Sequence, residues 1–171
     1  MGLQNTQLGL TVAGMLTKAT SVAGQTAQLP LQYAQQLGLG AGTGAGQADT
    51  LYVATRTLAA SAGEDLDLAG TLVDALGNTI NLARLKGLVI VANAANTNPL
   101  VVGNAAANGF IAWCSGATAT VNVRPGGLFA LFAPDATAYP VTPGTADLLH
   151  VANGGAGSSV TYDVLVIGSS A

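Results

Sequence analysis

After residue 48, hydrophobic and polar positions alternate with a period of two in short runs, each broken by turn residues. A period of two places every second side chain on one face of a strand, so each run predicts a β-strand with one buried side. "TLYVATRTL" (50–58) is rich in β-branched and aromatic residues. In "EDLDLAG" (64–70), Leu66 and Leu68 share one face while Asp65 and Asp67 look to water. "LVDALGNTINLA" (72–83) carries Gly77-Asn78 between two alternating arms, which predicts a hairpin. "LKGLVIVANA" (85–94) and "PLVVG" (99–103) are apolar runs bounded by Asn, Thr and Pro. "ATVNVRPGGLFALFAPD" (119–135) holds two strands joined as a hairpin by Pro125-Gly126-Gly127, proline presetting one turn φ and glycine accepting a positive one. "DLLHVAN" (147–153) and "SVTYDVLVIG" (159–168) complete the set, and in the last Val160, Tyr162, Val164 and Val166 fall on one face.

Roughly eight or nine strands at a spacing of about 8–12 residues predict an all-β domain, an antiparallel β-sandwich. No long amphipathic helix separates the strands, which argues against a parallel α/β sheet. A two-sheet jelly roll is the natural way to pack so many strands in residues 49–171.

Residues 1–48 differ in texture, with hydrophobics scattered among Gln, Thr, Ala and Gly. They predict an extended N-terminal arm with at most a short helix. That helix would lie in "LPLQYAQQLGL" (29–39), where Leu31, Ala34 and Leu37 fall near one helical face; an irregular arm is the equal alternative. "GLGAGTGAGQ" (38–47) places glycine at every second position from Gly38 to Gly46. A dinucleotide fingerprint follows a strand and opens a helix. Here the order is reversed, and a phosphate loop would also need Gly-Lys-Ser/Thr. The run therefore reads as a flexible linker between arm and sandwich.

Composition sharpens this picture. Of 171 residues, 8% are charged and 50% hydrophobic, against about 25% charged in an ordinary soluble domain. A surface so poor in charge suits contact with other protein, and predicts an assembly subunit rather than a free enzyme. The net charge of −3, with Lys and Arg scattered singly, forms no basic stripe for nucleic acid. The single cysteine, Cys114, excludes an internal disulfide and a cysteine zinc cage, and reads as a small buried hydrophobe. The N-terminus lacks the cationic start of a secretory signal, and no run reaches the ~20 apolar residues of a membrane helix. "MGLQNT" matches a myristoylation pattern at Gly2 and Thr6, without polybasic support.

The search for chemistry yields no catalytic, cofactor-binding or metal-binding residues. His150, the only histidine, lies within a predicted strand, and no G-x-S-x-G elbow accompanies it. Asp147 is three residues away, on the opposite strand face. Asp65 and Asp67 resemble the start of a calcium loop but lack its glycine and its distal glutamate. One tryptophan and four dispersed tyrosines give weak support for a sugar-binding groove. An enzyme using Asp147, His150 and a serine from another strand is the least supported reading.

"RPGG", "APD", "TADLLHVAN" and the closing "VTYDVLVIG" give residues 57–171 a recognisable grammar. This part of the chain resembles the head decoration, or cement, proteins of tailed bacteriophages. The resemblance implies a jelly-roll-like domain on the outer surface of an icosahedral head. There it would bridge major capsid subunits, help the shell resist internal pressure, and need no active site or cofactor. The same grammar also fits a head-fibre base, a tail or minor capsid protein, or a carbohydrate-binding β-sandwich. Covering bare sandwich edges predicts self-association, as a trimer or a dimer. In the arm, Leu29, Leu31, Tyr33 and Leu37 are the candidate interface residues, because large apolar side chains carry most interface energy. The expected partners are the major capsid protein and further copies of the chain, with neither nucleic acid nor membrane.

Overall fold

The computed structural model describes residues 3–171. Gly2 of the myristoylation pattern lies outside them. All regular elements among the described residues are strands: β1 (Thr6–Ala19), β2 (Thr26–Ala41), β3 (Gln47–Ala48), β4 (Thr50–Leu58), β5 (Gly63–Asp67), β6 (Arg84–Ala92), β7 (Leu100–Gly103), β8 (Thr120–Val123), β9 (Leu128–Phe132), β10 (Tyr139–Pro140), β11 (Leu148–Asn153) and β12 (Val160–Ser169). The fold is all-β, as the period-two pattern predicts.

Two antiparallel sheets form the body. One runs β10-β6-β12-β4, with β9 also pairing β6, and the other runs β5-β11-β7-β8. Their facing sides build the core. Val160, Tyr162, Val164 and Val166 of β12 are all buried, with Leu88 and Ile90 of β6 beside them. Leu66, Leu100, Val102, Leu149 and Val151 pack onto them from the second sheet. Alternation explains this directly: each strand sends every second residue inward. At the end of β12 the register shifts between Ile167 and Gly168. A Cβ at Gly168 would stand 2.3 Å from the carbonyl oxygen of Arg84, so only glycine allows the two backbones to close there.

Three local expectations are corrected. The segment 29–39 is neither helical nor irregular; it lies inside β2, paired residue for residue with β1. The expected hairpin at Pro125-Gly126-Gly127 is a crossover, because β8 pairs β7 in one sheet and β9 pairs β6 in the other. A proline-glycine turn sets the chain reversal, but the pairing partners are chosen by the faces to be buried, and here those lie in different sheets. Around Gly77-Asn78 the turn forms, but with one bridge, Val73↔Thr79, rather than two strands. Asp74 holds it by accepting from the N–H groups of Leu76 and Asn78 at 2.8 Å each.

The glycine run is also not a free tether. Gly38–Ala41 finish β2, and the turn that follows is pinned on several sides. Gly46 donates to the Pro134 carbonyl at 2.7 Å, and Gly40 to the Gly46 carbonyl at 2.8 Å. Lys86, fully buried, donates from Nζ to the carbonyl oxygens of Gly44 (3.3 Å) and Asp135. Leu39 and Ala48 are buried against Ile167. Cys114 is half-buried rather than buried, its Sγ close to the carbonyl oxygens of Ile111 and Gly116.

Candidate docking surface

β1 and β2 form a long antiparallel hairpin closed by residues 20–25. Thr20 and Gln25 close the turn through a backbone hydrogen bond of 3.1 Å. The register decides the character of its faces. Leu8↔Leu37, Val12↔Tyr33, Gly14↔Leu31 and Leu16↔Leu29 are directly opposed, with Leu10 opposite Gln35. Residues directly opposite project to the same side. One face therefore carries Leu8, Leu10, Val12 and Leu16 together with Leu29, Leu31, Tyr33, Leu37 and Leu39, with Gln35 among them and Lys18 at the tip. The other carries Gln7, Thr11, Thr17, Gln28, Gln32 and Gln36, with Met15 and Pro30 as its apolar pair. The hairpin is amphipathic at period two.

Only its base is seated. Leu39 is buried and Leu8 and Leu37 pack beside it against Ile167 and Ala48. A Cβ at Gly87 would meet Leu8 Cδ1 at 3.2 Å, so the hairpin rests on the outer face of the five-stranded sheet at a spot glycine keeps low. Beyond the base the apolar side chains stand in water: Leu16 is 71% exposed, Leu29 65%, Leu31 61% and Tyr33 53%. Of the four interface residues read from sequence, Leu29, Leu31 and Tyr33 are thus free on one face. Leu37 shares that face but belongs to the seated base.

Two rows of the outer face of the five-stranded sheet, which sequence reasoning missed, are apolar too. Leu51, Ile167, Gly87 and Phe132 lie abreast across four strands, and the next row is Val53, Leu165, Val89 and Ala130. The hairpin base covers Ile167 in the first row. In the second, Val53 remains 50% exposed. The signal was present: in β4 and β12 both strand faces are apolar near Leu51–Val53 and Leu165–Ile167, which marks a sheet meant to be covered twice.

One cluster of charged groups ties the two sheets together. The Arg56 guanidinium grips Glu64 with Nε and Nη2 and donates to the Tyr52 hydroxyl at 3.1 Å, while Tyr162 donates to Glu64 at 2.8 Å. This cluster ties β4 and β12 of one sheet to β5 of the other. Burial pushes the Glu64 carboxyl up, but hydrogen bonds from Arg56 and Tyr162 and the guanidinium charge outweigh it and leave the group below its ordinary value. Burial, and then the bond to Glu64, raise Tyr162 above the usual phenol range.

Of the sequence-level candidates for chemistry, the structure brings His150 and Asp65 together and leaves Asp147 with other partners. His150 Nδ1 pairs with Asp65 across strands at 2.7 Å. Asp147 is buried and accepts from the Gly144 N–H at 2.5 Å. Trp113 donates to the Phe110 carbonyl and packs edge-on to Phe129, so its ring is engaged. Among the described residues no three His, Cys, Asp or Glu side chains gather as a metal site. No helix of the described residues is long and apolar enough to cross a membrane. Two clefts of about 270 and 440 Å³ flank Leu51. Their acids are engaged, Asp49 with Ser170 and Asp74 with its own turn.

Comparison with families, characterised proteins and solved structures finds no match for this chain.

Proposed function

We propose that the chain is a structural virion protein, a decoration or cement protein on the outside of an icosahedral phage head, docking through its N-terminal hairpin. The observation that carries the reading is the hairpin itself: an apolar face with several side chains more than half exposed, on a segment whose only charge is Lys18. A patch of this kind on a soluble chain marks an interaction site. The strand order supports it further. β9-β6-β12-β4 against β5-β11-β7-β8, with successive strands mostly changing sheet, is consistent with an eight-stranded jelly roll. That is the architecture implied by the resemblance of residues 57–171 to decoration proteins. The polar clusters tie strands together, in keeping with a role that is structural rather than catalytic.

In this reading the free face of the hairpin, with Leu29, Leu31 and Tyr33 as anchors, lies on a neighbouring capsid or decoration subunit. Binding only to the assembled shell stabilises it by mass action, about 2.7 kcal/mol per site at 100 times Kd. The test is addition of purified protein to bare heads, followed by counting of bound copies. The clean truncation replaces residues 10–35 by a short turn and keeps Leu8, Leu37 and Leu39, because those seat the base on Ile167. The expected result is a folded body that no longer occupies heads. Full occupancy by the truncated chain would overturn the proposal.

A further inference from the structure

The hairpin and the body present two apolar surfaces of matching chemistry, and the chain already joins them once. At the base, Leu8 and Leu37 lie on the outer face of the five-stranded sheet beside Ile167 and Gly87. One row further along the same sheet face, Val53, Leu165, Val89 and Ala130 continue the surface. The hairpin does not cover that row: from Leu10 to its tip, and back to Tyr33, its side chains are exposed.

We propose that chains exchange hairpins: the free apolar face of one copy (Leu10, Val12, Leu16, Leu29, Leu31, Tyr33) seats on the outer sheet face of a second copy, over Val53, Leu165 and Val89. The inference rests on the reading of the hairpin as a docking arm and names its partner. Charge argues for a second copy. The arm's single cation, Lys18, lies on this same face at its tip, and the receiving sheet face carries a carboxylate, Asp163, one row beyond Leu165. What it requires is a flat apolar surface, and the chain itself displays one. Size agrees as well. The free face is about 30 Å long and 10 Å wide, about 300 Å² in plan. Where two copies exchange arms, each covers about 600 Å² in plan, before side-chain relief is counted, close to the roughly 800 Å² per partner of a stable interface; in a larger ring each contact covers about half of that. Giving and receiving use different surfaces, so the smallest closed solution is a two-copy ring in which each chain gives and receives one arm, and larger rings form where the rotation closes.

The experiment is light scattering on purified full-length chain, with two single variants and their mixture. Leu31→Asp spoils the arm, and Val53→Asp spoils the receiving face at a half-exposed position outside the core. The wild type is expected to be a ring oligomer at about 50 μM, and each variant alone a monomer with unchanged far-ultraviolet circular dichroism. Mixed, the two variants are expected to form a heterodimer, since the intact arm of one meets the intact sheet face of the other. A monomeric wild type would overturn the proposal. So would an oligomer indifferent to Val53→Asp, which would mean that hairpins pair with each other. Head binding is scored separately. A monomeric wild type that still occupies heads would sink the exchange and leave the docking arm standing, whereas a ring that ignores heads would do the reverse.

Discussion

Glu64 sits where burial and pairing oppose each other. Its carboxylate is favoured in the folded chain because Arg56 and Tyr162 hydrogen-bond its charged form. Its folded value therefore lies below the ordinary 4.5. The stability it contributes is fully present above that value and is lost as pH falls through the folded one. Tyr162 works the other way: its folded value is raised above the ordinary 10.0, so its contribution is lost as pH rises beyond 10. Urea midpoints measured from pH 2.5 to 11 should thus fall at both ends. Glu64→Gln should lower stability at pH 7 by about 1–2 kcal/mol, the scale of a charge-assisted hydrogen bond discounted for partial exposure, and should flatten the acid limb. Lys86 offers a second test. It is buried, and burial lowers its pKa while the nearby Asp135 resists. Lys86→Met would leave the carbonyls of Gly44 and Asp135 without this donor, at about 1–3 kcal/mol. The expected local sign is faster hydrogen exchange at Gly40 and Gly46, whose amides hold the glycine turn. Unchanged exchange there would mean that Lys86 does not pin the turn. Lysine within the apolar run "LKGLVIV" was the sequence-level hint, but its partners lie 42 and 49 residues away and only the fold brings them near.

The body strands are legible in sequence because each is read from its own alternation, and the matches to 50–58, 147–153 and 159–168 are close. Sheet membership is not, since it is decided by which faces meet; this is why the Pro125-Gly126-Gly127 segment proves to be a crossover. The hairpin was hidden for a different reason. Leu8, Leu10, Val12 and Leu16 alternate, as do Leu29, Leu31, Tyr33, Leu37 and Leu39. Gly14 and Gln35 interrupt the two series, and the residues 20–25 turn lacks a short Asn-Gly signal. Size alone singles out Leu29, Leu31, Tyr33 and Leu37 as candidates whatever their secondary structure; the first three are exposed and Leu37 belongs to the seated base. A two-stranded ribbon is marginal in water unless something covers its apolar side. Hydrogen exchange should therefore show residues 10–18 and 27–35 poorly protected in a monomeric variant such as Val53→Asp. The same segments should be protected in any oligomer or head-bound state, with β6 and β12 slow in both. Strong protection of the hairpin in a monomer would mean that the ribbon is stable without cover.

At the scale of the whole molecule, the scarcity of charge governs how the protein should bind. The arm has one cation, and the outer sheet face is apolar around Val53 and Leu165, with Asp163 and three threonines beyond them, paired as Thr55 with Asp163 and Thr57 with Thr161. Attraction between such surfaces comes from the release of water, which salt does not screen. Coulombic attachment behaves otherwise, because the Debye length shrinks from about 10 Å at 0.1 M to about 3 Å at 1 M. Excluded salts such as sulfate even strengthen apolar burial. If the chain docks on heads as proposed, its occupancy of bare heads should stay within about twofold between 0.1 and 1 M sodium chloride, and should hold or rise in ammonium sulfate. Leu31→Asp should reduce occupancy at every salt concentration, because it puts an unpaired charge where the arm must lose its water. A tenfold loss of wild-type occupancy at 1 M salt would mean that ion pairs, rather than the apolar hairpin, drive the proposed docking.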